Sequence, residues 1–208
     1  MVGRIIDTDD CVAEGAAWLA ARDPRFAAAL AQTGPLPLRR RPDGFAAVLS
    51  AIVSQQVSVA SARAIWSRME VAGLTQSQNM TAATDDDLRR VGLSRQKMRY
   101  GRALAQAEID FDTLRAQPDE VVIATLTKVP GIGTWTAEIY AMFALGRADV
   151  FAPGDLALQI AVQALLDLPA RPNERELRAI SQNWSPWRAV AARVLFSYYH
   201  VLKDREGI

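Results

Sequence analysis

The sequence predicts an all-helical protein, and three observations support this fold class. Half of the 208 residues are apolar, many of these are alanine, and runs typical of β-strands are scarce. Residues that begin or end helices recur at short intervals along the chain. In the last segment, apolar residues recur at helical spacing, namely Trp187, Val190, Ala191, Val194, Leu195 and Tyr198. We therefore expect a string of about eleven helices joined by short loops.

Local start and stop signals predict where these helices lie. In the first half they are residues 10–32 (two helices, ended by Gly34-Pro35), Asp43–Ile52, Ser58–Val71, Thr84–Gly92 with Thr84 and Asp87 as a capping box, and a basic helix that opens at Ser94. In the second half they are a helix with Pro118 at its first position that runs to about Thr127, one from about Gly133 to Leu145, one from Asp155 to about Leu168, and two that close the chain.

Composition excludes several kinds of site and favours a cytoplasmic protein. No stretch of about twenty apolar residues predicts a membrane span, and no leader of the signal type is recognisable. Cys11 is the single cysteine, which excludes an internal disulfide and an iron–sulfur cluster held by four cysteines. Because His200 is the single histidine, a side-chain zinc site is not expected either.

Basic residues are concentrated although the formal net charge is only +1. Arg39, Arg40 and Arg41 are consecutive, and residues 89–102 contain six basic residues without an acid. The ordinary interpretation of such runs is a solvated helix face. The alternative is a strip that faces DNA, where positive charge contributes affinity but no base identity.

The stretch "KVPGIGTWTAEIYAMF", residues 128–143, breaks one helix and starts another at once. Two glycines in close succession expose backbone N–H groups, and a helix start adds its positive dipole end, so the turn suits a phosphate. Thr136 stands where a Rossmann motif needs its third glycine, and no P-loop lysine follows. A glycine-rich turn without a ligand remains the alternative.

Four ordered stretches resemble the helix–hairpin–helix–Gly/Pro/Asp superfamily of base-excision DNA glycosylases, most closely the 3-methyladenine DNA glycosylase II (AlkA) type. They are "AIVSQQVSVASA", "VPGIGTWTAEIYAMFAL", "DVFAPGDLALQIAV" and "WSPWRAVAARVLFSY". The resemblance implies a single glycosylase unit over residues 1–208, with two helical lobes around a cleft and no iron–sulfur cluster. One lobe would span about 43–150 with the hairpin at 127–136, and the other 1–42 with 151–208.

The resemblance also implies how the hairpin would grip DNA. The amides of Gly131, Gly133 and Thr136 would hold a backbone phosphate. The carbonyls of Thr127, Val129 and Gly131 would hold a monovalent cation, Na⁺ or K⁺, and no other cofactor is required.

Asp155 matches the family's catalytic aspartate, directly after Pro153-Gly154. Its structural alternative is a plain helix cap, and the two roles can coexist. Departure of a base leaves oxocarbenium-like charge on the sugar, which a fixed carboxylate stabilises. Relatives that also cut the strand use a hairpin lysine as a Schiff-base amine. Trp135 occupies that position here, which predicts a monofunctional enzyme.

Three further residues would handle the extruded base. Gln56 matches the position of the DNA wedge, although an ordinary loop amide is the alternative. Trp135 is the candidate for stacking on an electron-poor alkylated base, and Phe196 is a weaker match to a second pocket aromatic. The remaining large aromatics, Trp18, Trp66, Tyr140, Trp184, Trp187 and Tyr198, are expected in the core.

Together these observations predict a DNA-3-methyladenine glycosylase II. It would flip 3-methyladenine or 7-methylguanine out of damaged duplex DNA and hydrolyse the N-glycosidic bond, acting as a monomer without a membrane. Two alternatives stay open at this point: a glycosylase/lyase for oxidised bases, and a non-catalytic module that only grips DNA.

Overall fold

The structure, a computed structural model, describes residues 2–206. Within that range the chain is all-helical, as predicted, and its only β-type pairing is the isolated bridge between Ile5 and Arg147. None of the helices there combines the length and apolar character needed to cross a membrane. The helices are α1 Asp9–Arg22, α2 Pro24–Thr33, α3 Phe45–Ser54, α4 Val59–Val71, α5 Ser77–Ala82, α6 Asp85–Arg90, α7 Arg95–Gln106, α8 Phe111–Arg115, α9 Asp119–Thr127, α10 Thr134–Phe143, α11 Leu156–Leu166, α12 Glu174–Ile180 and α13 Arg188–Glu206, with a 3-10 turn at Ser181–Trp184.

Several helices begin where their capping residues predict. The Ser58 hydroxyl accepts a hydrogen bond from the Ser61 N–H at 3.2 Å and caps α4. At α6, Thr84 Oγ1 accepts from the Asp87 N–H at 3.2 Å while Asp87 Oδ2 accepts from the Thr84 N–H at 3.1 Å, which completes the expected capping box. Ser94 caps α7. These starts are local, because each cap bonds an amide three residues away.

Two predicted starts were wrong. The cap of α3 is Gly44, with φ 92°, and no side chain bonds the helix there. The carboxylate of Asp43 instead accepts hydrogen bonds from the Tyr140 hydroxyl and, at 2.7 Å, from Arg115 Nε. Pro118 lies at the cap of α9 and not at its first position. Partners distant in sequence thus take the Asp43 oxygens that a helix cap would have used.

The chain divides into two compact units, which we call the first and the second unit. The first contains Arg41–Tyr140, and the second contains Gly3–Arg40 and the chain from Ala141 onward. In the first unit, α3 packs on α4 and α7, and α5 packs on α7. The core-facing side chains of α3 are at most 2% exposed: Val48, Leu49, Ile52 and Val53. This buried face fixes α3 as the central helix of the first unit.

In the second unit, α13 packs on α1, α2 and α11. A Cβ at Gly15 of α1 would lie 2.6 Å from Val190 and 2.8 Å from Trp187, so the absence of a side chain lets the two helices approach closely. The Trp184 ring contacts Phe26 edge to face, with centroids 5.6 Å apart. Trp184 and Trp187 are each 4% exposed, which confirms them as core residues.

Candidate functional site

The glycine hairpin lies in the first unit between α9 and α10. Val129 and Ile132 are 3% and 4% exposed, so the turn is anchored by its apolar residues. The Ile132 N–H donates to the Val129 carbonyl at 3.1 Å, and Gly131 adopts φ 91°. α10 then begins at Thr134, and the N–H groups of a helix's first turn lack partners within the helix. The start of α10 therefore provides a positive dipole end and the Thr136 amide in its first turn, while phosphate binding by Gly131, Gly133 and Thr136 stays a prediction.

Tyr100 of α7 covers the hairpin, a role that sequence reasoning missed. A Cβ at Gly131 would lie 2.3 Å from Tyr100 Cδ2 and 2.4 Å from its Cγ, closer than real side chains come. Gly131 is therefore required twice, by its positive φ and by the tyrosine ring. At Gly133 an added Cβ would meet nothing within 4 Å.

A short loop between α3 and α4 carries Gln56, and hydrogen bonds hold the chain just before it. The side chain of Gln55 donates from Nε2 to the Gly131 carbonyl at 2.9 Å, which ties the loop to the hairpin. Lys97 donates from Nζ to the Val53 carbonyl at 2.6 Å, and burial lowers the pKa of this lysine. Gln56 is exposed, with φ 55°. The candidate wedge residue thus lies at the tip of an anchored loop, while its insertion into DNA stays a prediction.

A pocket of about 720 Å³ brings together three of the predicted site residues, Gln56, Trp135 and Thr136. Trp135 is 45% exposed, as a residue available for stacking must be, whereas Thr136 is 6% exposed. One face of α3 also lines the pocket and carries small residues only: Ala46, Ala47, Ser50, Ala51 and Ser54. Small side chains leave room for a planar ligand of the size that protein pockets ordinarily accept.

Two further pocket residues, Trp66 and Glu70 of α4, were not predicted as part of the site. Trp66 was expected in the core, but it is only half-buried and lines the pocket. Its indole N–H donates to Glu70 Oε1 at 2.9 Å, one helical turn away. The sequence did contain a signal for this contact, because an aromatic N–H donor and an acid stand four residues apart on the helix that follows Gln56.

The basic segment is paired within the first unit more than its composition suggests. Arg102 bonds Asp85 at 2.6 Å, and this hydrogen bond holds the pKa of Asp85 below its usual range. Along α6, Arg89 pairs with Asp86 at 2.6 Å and Arg90 pairs with Asp87 at 3.1 Å. The three acids, Asp85, Asp86 and Asp87, directly precede the basic segment, so they offset part of its positive charge.

Asp155, in the second unit, caps α11. Its Oδ1 accepts hydrogen bonds from the Ala157 N–H at 2.9 Å and the Leu158 N–H at 3.2 Å. The preceding Pro153 carbonyl is bonded by Gln159 Nε2 at 2.9 Å, which fixes the turn before the cap. The half-buried carboxylate is therefore held by its own helix. The capping role that the sequence suggests is confirmed, and the catalytic role stays a prediction.

Phe196 of α13 is half-buried in the same unit. Its ring lies 6.2 Å from Phe143 and 5.4 Å from the Arg39 guanidinium, centroid to centre. Arg193, missed in the sequence, is fully buried one turn earlier and donates to the Leu38 carbonyl from Nε and Nη2 at 3.1 and 2.9 Å. Burial, together with the charges of nearby Arg39 and Arg40, lowers the pKa of Arg193 to about 10.

The hairpin carbonyls predicted to hold a cation fit that purpose by their chemistry. Two of them already accept hydrogen bonds, Val129 from the Ile132 N–H and Gly131 from Gln55. A carbonyl oxygen has two lone pairs, so each retains one for an ion, and oxygen donors suit hard cations. No cluster of three or more His, Cys, Asp or Glu side chains able to hold a metal occurs within residues 2–206.

Two solved structures that are similar to most of the chain are named as a glycosidase and a glycosylase. A DNA-3-methyladenine glycosidase from Bacillus halodurans is 31% identical, with a TM-score of 0.80, and the match covers 89% of this chain and 88% of that one. The 3-methyladenine DNA glycosylase of Schizosaccharomyces pombe, solved in complex with abasic DNA, is 25% identical with a TM-score of 0.77. That match covers 88% of this chain and 95% of the other.

Curated proteins that are similar to this chain also carry names of DNA glycosylases or glycosidases. The chain is 24% identical over 190 residues to an alkylbase DNA glycosidase-like protein of Schizosaccharomyces pombe, covering 86% of this chain and 89% of the relative. It is 28% identical over 163 residues to DNA-3-methyladenine glycosylase 2 of Escherichia coli, covering 72% and 55%. Some relatives are longer, since the chain matches only 40% of one from Bacillus subtilis. The model of the HhH-GPD superfamily of base excision DNA repair proteins matches residues 49–186, and the chain belongs to that superfamily.

Proposed function

We propose that this chain is a monofunctional DNA glycosylase that removes alkylated purines, such as 3-methyladenine and 7-methylguanine, from duplex DNA as a monomer. The observation that carries the proposal is Asp155, a carboxylate at the start of α11 whose Oδ1 is held by two backbone N–H groups. It stands at the position of the catalytic aspartate in the family pattern. Two solved structures named as 3-methyladenine enzymes and a relative named as alkylbase glycosidase-like, all similar over most of the chain, support the substrate class.

The proposed reaction breaks the bond between C1′ of the deoxyribose and a purine nitrogen. The bonding electrons leave with the base, which its alkyl group has already made a good leaving group, and positive charge develops on the sugar. The Asp155 carboxylate stabilises this charge in a site with little water. A water molecule then adds to C1′ and loses a proton, which leaves an abasic site.

DNA would be gripped through its backbone at the hairpin. The amides of Gly131, Gly133 and Thr136 would donate to one phosphate next to the target nucleotide. A Na⁺ or K⁺ ion on the carbonyls of Thr127, Val129 and Gly131 would offset part of the phosphate charge. Such contacts supply affinity that falls with salt concentration, but they carry no base identity.

Extrusion of the base would use the exposed side chains of the first unit. Gln56, at the tip of its loop, would occupy the gap in the base stack, since flipping costs a few kcal/mol of lost stacking and pairing. Trp135 would stack on the extruded cationic purine, with Phe196 of the second unit as a further aromatic contact. Because Trp135 replaces the lysine of strand-cutting relatives, no Schiff base is expected.

The test compares Asp155→Asn with the native protein on duplexes that contain 7-methylguanine. The asparagine amide oxygen can accept the same two hydrogen bonds, so α11 keeps its cap and the melting temperature should change little. We expect release of free 7-methylguanine, followed by chromatography under single-turnover conditions, to fall by about 10²–10³-fold or more. Binding to the intact duplex should remain.

A matched control is Asp167→Asn, the same change at the other end of α11. Asp167 is exposed with φ 51°, a conformation that asparagine tolerates well, so this variant should release base at the native rate. A normal rate in Asp155→Asn contradicts the assignment of Asp155. A covalent complex trapped by borohydride indicates a lyase instead, and native protein that binds DNA but releases no base from any lesion indicates a non-catalytic module.

A further inference from the structure

The pocket of the first unit has a wall that the proposed chemistry does not yet use. Besides Trp135 of α10, it is lined by a second indole, Trp66, and by Glu70, both on α4. The small side chains of α3, within residues 46–54, form another part of the lining. The volume of about 720 Å³ is ample for a purine and its sugar.

Charge in this lining is sparse and therefore informative. Arg41 and Glu70 are the charged residues among those that line the pocket in the described part of the chain. The Glu70 carboxylate is exposed, and its Oε1 is held in position by the Trp66 indole N–H at 2.9 Å. This hydrogen bond from Trp66 limits the rotamers of Glu70 and so defines where its negative charge lies in the lining.

A carboxylate is an unfavourable group to present to DNA as such. It repels phosphates, and it gains little from a neutral base beyond ordinary hydrogen bonding. A purine alkylated at N3 or N7 carries positive charge in the nucleotide, and a carboxylate attracts that charge. A binding site discriminates by the difference in affinity between two ligands, so an element that disfavours the wrong ones contributes to specificity.

We infer that Glu70 is a specificity-determining residue of this pocket, which favours extruded bases that carry positive charge over neutral ones. The inference rests on the proposed function, since it assumes that the pocket receives a base. It goes beyond that function because it assigns charge discrimination to an acid on α4, separate from the catalytic aspartate and from stacking on Trp135.

The experiment measures binding without chemistry. The probes are two duplexes that differ at one nucleotide, 2′-fluoro-7-methylguanosine in one and 2′-fluoroguanosine in the other. The fluorine withdraws electrons and prevents the sugar cation, so the base stays attached. Fluorescence anisotropy at moderate salt gives the two Kd values, and their ratio is the preference for the charged base.

The variants are Glu70→Gln and, as a matched control, Glu120→Gln. Both remove one exposed negative charge of the first unit, but Glu120, in the first turn of α9, does not line the pocket. We expect Glu70→Gln to lower the preference by about fivefold, which is the range of a solvent-exposed charge pair. Glu120→Gln should change it by less than about twofold.

Release of 7-methylguanine by the native protein, measured in parallel on the unfluorinated duplex, separates this inference from the proposed function. Absence of release contradicts the function, whatever the ratio of Kd values does. Normal release with an unchanged ratio in Glu70→Gln overturns the inference alone, and so does an equal fall of the ratio in both variants. A fall confined to Glu70→Gln supports it.

Discussion

Replacement of Gly131 by alanine tests how the hairpin is built. The residue has φ 91°, a conformation that a side chain makes costly. The new Cβ would also lie 2.3, 2.4 and 2.8 Å from Cδ2, Cγ and Cε2 of Tyr100, atoms near the root of the ring that cannot swing aside as a flexible chain end would. The substitution therefore acts through two separable effects, backbone strain and overlap with the ring.

The two effects have different expected sizes. A left-handed conformation costs a residue with a Cβ about 1–2 kcal/mol. Overpacking of this kind typically costs about 1–3 kcal/mol more. We expect Gly131→Ala to lower the free energy of unfolding by about 2–5 kcal/mol, a large part of the stability of a domain this size.

The assay is urea denaturation of four proteins: the native chain, Gly131→Ala, Tyr100→Ala and the double variant. Without the ring, Gly131→Ala should cost only the backbone part, about 1–2 kcal/mol. Gly133→Ala is the control, because its Cβ would meet nothing within 4 Å, and it should cost less than about 1 kcal/mol. If Gly131→Ala lowers the free energy of unfolding equally with and without the Tyr100 ring, overlap with that ring is not a cause of the destabilisation.

Two further predictions concern the loop that carries Gln56 and the response to acid. Gln55→Ala removes the 2.9 Å bond to the Gly131 carbonyl, and we expect a loss of about 1 kcal/mol in unfolding free energy and a several-fold slower release of 7-methylguanine in single-turnover assays. An unchanged release rate would show that the tie does not position the loop. In the second unit, the hydrogen bonds from Arg25 hold the pKa of Asp23 below its usual value of 3.8. Their contribution to the free energy of unfolding is therefore complete above pH 3.8, and it is lost as the pH falls through the pKa of Asp23 in the folded protein. Asp23→Asn keeps the cap of α2 and should cost less than about 1 kcal/mol of unfolding free energy at pH 7, because the side chain of its partner Arg25 is 53% exposed. In strong acid the substitution should cost nothing. A stability difference that grows toward low pH in thermal melts would contradict this pH dependence.

Helix starts are predictable from the sequence where the chemistry is local. Ser58, Thr84 and Ser94 each bond an amide three residues away, so the pattern of capping residues contains the whole interaction. Asp43 shows the limit of this reasoning. Its oxygens bond Arg115 and Tyr140, which are 72 and 97 residues away, and only the packing of the first unit brings these groups together.

The residues of the candidate site also divide into those that the local sequence predicts and those that depend on packing. The motif residues Gln56, Trp135 and Thr136 were predicted, and they line one pocket. Trp66 was expected in the core, because aromatic residues on helices usually are, and its position on the wall of the pocket depends on how α4 packs on α3. Tyr100 has no sequence signal either, since its contact with Gly131 depends on the packing of α7 against the hairpin.

The loop that carries Gln56 is stiff before any DNA arrives. Gln56 adopts φ 55°, which a residue with a Cβ rarely does, and the hydrogen bonds made by Gln55 and by Lys97 to Val53 hold the chain just before it. Part of the backbone entropy lost in shaping this loop is therefore lost when the chain folds, and less remains to be lost at the moment of contact. If Gln56 acts as the wedge that we propose, it would meet each base pair with its backbone already in shape, and the search for a lesion among undamaged base pairs would be faster for it.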